Sequence, residues 1–136
     1  MADKPSTFDL MAQGASCAEA VLAGVCPGAA PGAATGFGAG IGRLGGVCGC
    51  LTGGVLALGV RAGAREPGDE ALKERVYAEA RDLFRRFQVR FGATGCRELI
   101  GIDFLDDQDR VRYDAAAKAR CREMAAWVVA ELEPRA

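Results

Sequence analysis

Apolar residues recur every three or four positions along most of the chain, which is the period of a helix that buries one face. The longest such pattern lies between Asp69 and Gly92, and its apolar positions are Leu72, Val76, Ala80, Leu83, Phe84, Phe87 and Phe91. Another runs from about Arg110 to Glu131, with apolar positions at Tyr113, Ala117, Cys121, Met124, Val128 and Leu132. No segment alternates with a period of two over a useful length, so the pattern predicts helices and no sheet.

Two shorter helices are predicted near the N-terminus from residues that begin and end helices. Ser6 can cap the first of them and Gly14 can end it. A serine hydroxyl accepts hydrogen bonds from the free N–H groups of a first turn, and glycine readily adopts the left-handed conformation that follows a last turn. Ser16 is predicted to cap a second helix, from Cys17 to Val25.

Further helices are predicted in the middle and near the end of the chain. An apolar run after a glycine-rich segment indicates a buried helix and comprises Val55, Leu56, Leu58 and Val60. Thr94 is predicted to cap a short turn of helix that contains Cys96 and ends at Gly101. The acidic run that follows lacks the glycine and the terminal glutamate of a calcium loop, so we expect it to cap the last helix. It comprises Asp103, Asp106, Asp107 and Asp109.

Together these elements predict an all-α fold. Residues 1–136 are expected to form a single domain, a helical bundle of four to six helices with a glycine-rich segment that contains cysteines. A chain of 136 residues is long enough to bury a hydrophobic core without cross-links. The residues predicted to contribute to one core are Leu56, Leu83, Phe84, Phe87, Trp127 and Val128.

The charge balance excludes several classes of function. With 17 basic and 18 acidic residues, the net charge of −1 gives no reason to propose binding to nucleic acid or to an anionic membrane. The chain contains no histidine, which removes the commonest general base and every metal site that uses histidine.

No apolar stretch approaches the ~20 residues of a membrane helix, and no signal peptide is recognisable. We therefore expect a cytoplasmic protein with reduced thiols and no membrane insertion.

Cysteine and glycine supply the candidate chemistry. The six cysteines are Cys17, Cys26, Cys48, Cys50, Cys96 and Cys121. Cys17, Cys48 and Cys96 are predicted at helix N-termini, where the partial positive charge favours thiolate over thiol. Cys26 lies in an Ala/Pro/Gly loop and is predicted to be incidental. Gly40, Gly42 and Gly45 match G-x-G-x-x-G, but no strand precedes them, so we expect close backbone packing rather than nucleotide binding.

Four cysteine-containing motifs in order along the chain resemble a known family. Cys17 lies in Ala-Ser-Cys-Ala-Glu-Ala-Val, Cys48 in Cys-Gly-x-Leu-Thr-Gly, and Cys96 in Gly-Cys-Arg-Glu-Leu-Ile-Gly-Ile-Asp, and Cys121 follows late in the chain. This set resembles the C_GCAxxG_C_C family of bacterial and archaeal redox-active proteins over nearly the whole chain. The resemblance implies that these four cysteines are the functional ones. Cys50 departs from the pattern, since alanine is usual there.

Three functions are open at this point. The first is a thiol oxidoreductase that transfers electrons through a dithiol and a disulfide centred on Cys48, with an external redox partner. Its candidate catalytic residues are Cys17, Cys48, Cys50, Cys96 and Cys121. The second is a [2Fe-2S] cluster or another thiolate-bound metal held by Cys17, Cys48, Cys96 and Cys121, as related proteins of the family suggest. The third is a helical scaffold with packed cysteines, and a homo-oligomer is compatible with all three.

The spacing of Cys48 and Cys50 leads to a hypothesis about the reactive thiol. In an α-helix, positions i and i+2 differ by ~200° around the axis, so both side chains could not point into one site. If the segment is instead extended before the helix begins, both sulfurs can lie on one side, and Gly49 gives the backbone freedom for this. We therefore predict Cys48 as the reactive thiol and Cys50 as its resolving partner, the alternative being that Cys50 only fills space.

Overall fold

The computed structural model describes residues 6–63 and 66–133, and the described part is helical without a β-strand. Its α-helices are α1 Thr7–Ala12, α2 Cys17–Val25, α3 Gly49–Ala62, α4 Glu70–Phe91, α5 Cys96–Ile100, α6 Asp107–Arg110 and α7 Ala115–Leu132. A 3-10 helix, Pro31–Phe37, lies between α2 and α3. The all-α prediction is confirmed. No helix of the described residues has the length and apolar character needed to cross a membrane.

The count of four to six helices was slightly too low for the described residues. The additional elements are the 3-10 helix, in a segment predicted as an Ala/Pro/Gly loop, and α6, in the acidic run. The predicted bounds of α2 and α4 are confirmed. Ser16 and Glu19 form a capping box at the start of α2, the Asp69 carboxylate accepts from the Leu72 N–H, and Gly92 is left-handed at the end of α4.

Two predicted helix starts were wrong. The last helix begins at Ala115 rather than near Arg110, because the Asp114 carboxylate accepts from the Ala117 N–H and caps α7. The acidic run caps a different element, since the Asp106 carboxylate accepts from the Gln108 N–H at the start of α6. Gly95, rather than Thr94, occupies the cap of α5, and no side chain caps that helix.

Helix α2 is the centre of the packing, since it lies against α3, α7, α1 and the 3-10 helix. As predicted, Leu83, Phe87 and Val128 are buried in the main core, with half-buried Phe84 and Trp127 packed against them. Leu56 was wrongly assigned to this core. It packs against a second cluster formed by Ala18, Leu22, Ala34 and Ala57, because it lies on the face of α3 that meets α2 and the 3-10 helix.

Helix α4 buries less of its apolar stripe than the pattern predicted. Within it only Leu83 and Phe87 are buried, and Leu72, Val76 and Ala80 are partly exposed. The C-terminal half of α4 therefore holds the helix against the main core. There the rings of Phe87 and Phe91 each make an edge-to-face contact with the Trp127 ring.

The glycine-rich segment before α3 forms a left-handed turn. Residues 39–43 all have positive φ, from 52° to 72°, although three of them are not glycine. The turn places the Gly40 backbone against the start of α5. A Cβ added to Gly40 would lie 2.5 Å from the Gly46 nitrogen and 2.9 Å from the Cys96 Cβ. This confirms close backbone packing for Gly40, whereas an added Cβ at Gly45 would meet the Arg97 Cβ at 3.1 Å and one at Gly42 would meet no atom within 4 Å. A 3-10 helix precedes them instead of a strand.

Candidate functional site

Five cysteine side chains meet where α2, α3, α5 and α7 come together. The Cys17 sulfur is hydrogen-bonded by the thiols of Cys121 and Cys50. The Cys50 thiol also hydrogen-bonds the Cys48 sulfur. Cys96 is close enough to Cys48 and Cys17 for their negative charges to raise its pKa. Cys26 stands outside this group, and its thiol donates to the Ala57 carbonyl at 3.5 Å. The convergence predicted for the four family cysteines is therefore seen, while their chemical roles stay a prediction.

The backbone explains how residues far apart in sequence reach one place. Cys17 and Cys96 are the first residues of α2 and α5, and Cys48 is the cap of α3, as predicted. An isolated antiparallel bridge joins Val47 to Gly95. Beside this bridge, the Cys48 N–H donates to the Thr94 carbonyl at 2.8 Å and the Cys96 N–H to the Gly46 carbonyl at 2.6 Å. Cys48 and Cys96 are thus held together by main-chain hydrogen bonds.

Cys50 joins the site because Cys48 is not helical. Cys48 has φ −56° and ψ 133°, and the helical conformation begins at Gly49. This is the extended geometry that allows both sulfurs to lie on one side of the segment. Cys50 is completely buried, and its thiol also lies 3.9 Å from the Cys121 carbonyl. Its thiol therefore makes specific polar contacts in addition to filling space.

The arrangement of thiols lowers the pKa of Cys17. The Cys121 thiol, followed by the Cys50 thiol, donates to Cys17 and lowers the pKa of Cys17 well below its ordinary value, although burial opposes this. The backbone N–H at the start of α2 acts in the same direction. The same contacts with Cys17 raise the pKa values of Cys121 and Cys50. Cys17 is therefore the thiol in this group whose pKa is lowered, while the pKa values of Cys121 and Cys50 are raised.

Two further groups around Cys17 have raised pKa values. Burial, and then the nearby charges of Cys48 and Cys17, raise the pKa of Cys96 to about 12. Burial also raises the pKa of Tyr113, whose hydroxyl hydrogen-bonds Cys121. This contact lowers the pKa of Cys121 and so partly offsets the effect of Cys17. A hydrogen-bonded series thus runs from Tyr113 through Cys121 to Cys17.

A cavity of about 420 Å³ opens onto this series. Cys17, Cys96 and Cys121 line it together with Tyr113, whose ring meets the Phe104 ring edge-on at 5.2 Å. Cys48 and Cys50 do not line it, since they are 4% and 0% exposed. A larger apolar groove of about 670 Å³ between α3 and α4 is lined by no cysteine. The smaller cavity therefore gives access to Cys17, Cys96 and Cys121, and Cys17 is the one of these three whose pKa is lowered.

A metal-ligand arrangement is not found among the described residues. Among residues 6–63 and 66–133, no group of three or more cysteine, aspartate or glutamate side chains is arranged so that it could hold a metal ion. The thiols of Cys50 and Cys121 instead donate to the Cys17 sulfur. The [2Fe-2S] or thiolate–metal interpretation of Cys17, Cys48, Cys96 and Cys121 stays a prediction from the sequence.

Comparison with known proteins identifies the family. The family model C_GCAxxG_C_C, described as "putative redox-active protein", matches residues 15–134. The chain belongs to this family. The matched span of the C_GCAxxG_C_C domain contains all five clustered cysteines. A search of curated proteins and a search of solved structures found no match.

Three side chains that line the cavity of this C_GCAxxG_C_C protein were not predicted as site residues from the sequence. Tyr113 was placed only on the apolar face of the last helix, although it lies eight positions before Cys121 on that face. Lys118 and Arg122 lie three residues before and one residue after Cys121, and both line the cavity. Two cations one helical turn apart that flank a buried cysteine are the pattern that would have found them.

The pH profile of alkylation tests the acidity of Cys17. We expect the rate of Cys17 labelling by iodoacetamide to reach half its plateau well below the midpoint of the same residue in the unfolded chain. The Cys121→Ala variant should move that midpoint upward by at least about one pH unit, because one donated hydrogen bond to a thiolate is worth roughly 1.5–3 kcal/mol. Cys26, followed by peptide mapping in the same samples, is the internal control. An identical Cys17 midpoint in both proteins would contradict the assignment.

Proposed function

We propose that this protein is a thiol oxidoreductase in which Cys17 is the nucleophile and Cys121 resolves the intermediate. One observation carries the proposal: Cys17 is the thiol that both lines the cavity and accepts hydrogen bonds from neighbouring thiols. The thiolate is the reactive form of cysteine in disulfide exchange, and hydrogen bonds from thiols keep Cys17 in that form. Membership in a family described as redox-active supports the same class of reaction.

The oxidant in this reaction is a disulfide substrate. The Cys17 thiolate attacks one sulfur of the substrate, so that a bond forms between Cys17 and that half while the bond between the two substrate sulfurs breaks. The other half leaves as a thiolate. The two electrons of the attacking sulfur form the new bond, and the leaving sulfur keeps the pair of the broken bond.

The resolving step uses the thiol already in contact with Cys17. Cys121 gives its proton to the departing substrate sulfur and attacks Cys17, which forms the Cys17–Cys121 disulfide and releases the second substrate thiol. An external dithiol reductant then restores the two protein thiols. Tyr113 is a positioning residue for this step, because its hydroxyl holds Cys121 and lowers the pKa of Cys121.

In the proposed reaction the nucleophile is Cys17 and not Cys48. The original prediction paired Cys48 with Cys50, and the two sulfurs do lie close together. Both are buried behind Cys17, however, and neither lines the cavity. A substrate in the cavity therefore meets Cys17 first, and Cys50 remains a second potential partner for Cys17 since its thiol also donates to it.

Disulfide mapping after mild oxidation tests the pairing. When the reduced protein is treated with one equivalent of oxidised glutathione, we expect peptide mass spectrometry to find Cys17–Cys121 as the principal bridge. The Cys121→Ser variant should instead accumulate the mixed disulfide at Cys17. Cys26→Ser is the matched control, because Cys26 lies outside the cluster, and it should give the parent pattern.

Each other result of the disulfide mapping would show which part of the proposal is wrong. A Cys48–Cys50 bridge with Cys17 unmodified would return the reaction to the pair first predicted from the sequence. A Cys17–Cys50 bridge that persists unchanged in Cys121→Ser would keep the nucleophile and replace the resolving residue. Absence of any cysteine oxidation under these conditions would contradict the thiol oxidoreductase as a whole.

A further inference from the structure

The cavity over Cys17 has an unusual charge for this protein. Its charged lining residues are Lys118 and Arg122, and no aspartate or glutamate lines it. The chain as a whole carries one more acidic than basic residue. The cavity is therefore a positively charged site in a protein without a general excess of positive charge.

Among the described residues, no carboxylate forms an ion pair with either of these two cations. Many other basic side chains form such ion pairs, for example Arg86, which pairs with Glu131 at 2.8 Å, and Arg97, which pairs with Asp103 at 2.9 Å. Neither Lys118 nor Arg122 forms an ion pair with the residues described in 6–63 and 66–133. Lys118 instead has its ammonium 5.7 Å from the centre of the Tyr113 ring. Their donors are thus available to an anion in the cavity.

The position of Lys118 and Arg122 relative to Cys121 indicates which kind of ligand they could bind. Lys118 and Arg122 are one turn apart on α7, and Cys121 lies between them on the same helix. An anion bound between them is therefore next to the Cys17–Cys121 pair. The remaining walls are largely apolar, with Met11, Phe104 and the Tyr113 ring among them. A volume of about 420 Å³ falls within the size of small-molecule sites, which is about 300–1,000 Å³.

We propose that this cavity binds a small disulfide that carries a carboxylate, with Lys118 and Arg122 holding the carboxylate while Cys17 attacks the disulfide. The inference rests on the proposed function and adds the substrate class to it. Charge-assisted hydrogen bonds fix the anionic end of the molecule, which leaves the sulfur–sulfur bond next to Cys17. The exchange is the one given above, in which the substrate disulfide is reduced to two thiols and the Cys17–Cys121 pair is oxidised.

The test compares an anionic with a neutral disulfide probe. Stopped-flow absorbance measures how fast the reduced protein reacts with dithiobis(nitrobenzoate), which carries a carboxylate on each half, and with dithiodipyridine, which carries none. In Lys118→Gln/Arg122→Gln we expect the ratio of the anionic to the neutral rate constant to fall about tenfold, and about threefold in each single variant, as for partly exposed ion pairs. Use of a ratio cancels any change in the acidity of Cys17.

Two controls separate local binding from general electrostatics. Arg75→Gln/Arg85→Gln removes the same charge from α4, outside the cavity, and should leave the ratio within about twofold of the parent, since distant exposed charges are screened. The charge-conserving Lys118→Arg/Arg122→Lys should keep most of the parent ratio. An equal fall in the α4 variant, or an unchanged ratio in Lys118→Gln/Arg122→Gln, would overturn the inference.

Failure of the proposed function would look different. In Cys17→Ser both probes should lose their fast phase. If both keep it, the nucleophile is wrongly assigned, whatever the ratio in the lysine and arginine variants. If Cys17→Ser loses both fast phases and the ratio does not respond to Lys118 and Arg122, the thiol chemistry stands and the anionic substrate class is wrong.

Discussion

Replacing Cys17 by serine should slow the fast alkylation of the native protein at pH 7 by at least about a hundredfold, because the thiolate is the reactive species and Cys17 is the thiol whose pKa is lowered. Burial still raises the pKa values of Cys50, Cys96 and Cys121 when Cys17 is absent. Burial is the largest cause that raises the pKa of Cys96 to about 12, so Cys96 supplies little thiolate at that pH. The measurement is iodoacetamide labelling followed by intact mass, carried out in a Cys26→Ser background so that the half-exposed Cys26 does not contribute.

The matched variant for this experiment is Cys48→Ser. Cys48 is also a clustered cysteine at a helix start, but it is buried and does not line the cavity. We expect Cys48→Ser to keep the fast reaction within about threefold, since it removes none of the hydrogen bonds that thiols donate to Cys17. Far-UV circular dichroism checks that both variants are folded. Loss of the fast phase in Cys48→Ser, with retention in Cys17→Ser, would restore Cys48 as the reactive thiol.

Replacing Gly53 by alanine should lower the free energy of unfolding by about 3 kcal/mol, the upper part of the range for overpacked interiors. Gly53 lies where α3 crosses α2, and an added Cβ would be 2.5 Å from the Ala18 carbonyl oxygen and 2.9 Å from the Ala18 Cα. Both are backbone atoms, so a side chain cannot rotate to relieve the clash. The two helices must separate, and this also moves Cys17 away from Cys50.

Gly59→Ala provides the control within the same helix. An added Cβ at Gly59 meets no atom within 4 Å, so the substitution changes only helix propensity. It should raise the free energy of unfolding by about 0.5–1 kcal/mol. Urea unfolding followed by circular dichroism measures both variants. Equal stabilities for Gly53→Ala and Gly59→Ala would show that α2 and α3 are not as close as the structure has them.

The cysteine chemistry could be predicted from the sequence only in part. The positions of Cys17 and Cys96 at helix starts follow from local features, since Ser16 caps α2 and a turn of helix follows Gly95. Their convergence with Cys121 was expected from the family resemblance and not from spacing. Which thiol faces the cavity depends on how α2 and α7 cross, and no local pattern specifies that.

The helix boundaries that were wrong share a physical cause. Asp103, Asp106, Asp107, Asp109 and Asp114 are all competent caps within twelve residues, and local chemistry does not choose between them. The choice depends on contacts that span the loop, beyond the first turn of any one helix. Asp103 forms an ion pair with Arg97 at 2.9 Å, and the Asp109 carboxylate accepts from the Asp103 N–H at 2.5 Å. These contacts close the loop and leave Asp114 to begin α7.

The sequence by itself determined the helical class, the bounds of α2 and α4, and the apolar run that belongs to α3. Hydrophobic period and capping residues act within a few positions along the chain, so they can be recognised without a fold. Only the tertiary structure decided that the Cys17 sulfur accepts from Cys121 and Cys50, and that Lys118 and Arg122 line the same cavity. Burial and pKa depend on groups that meet through space, and residues such as Cys17 and Cys121 are brought together by the packing of α2 on α7.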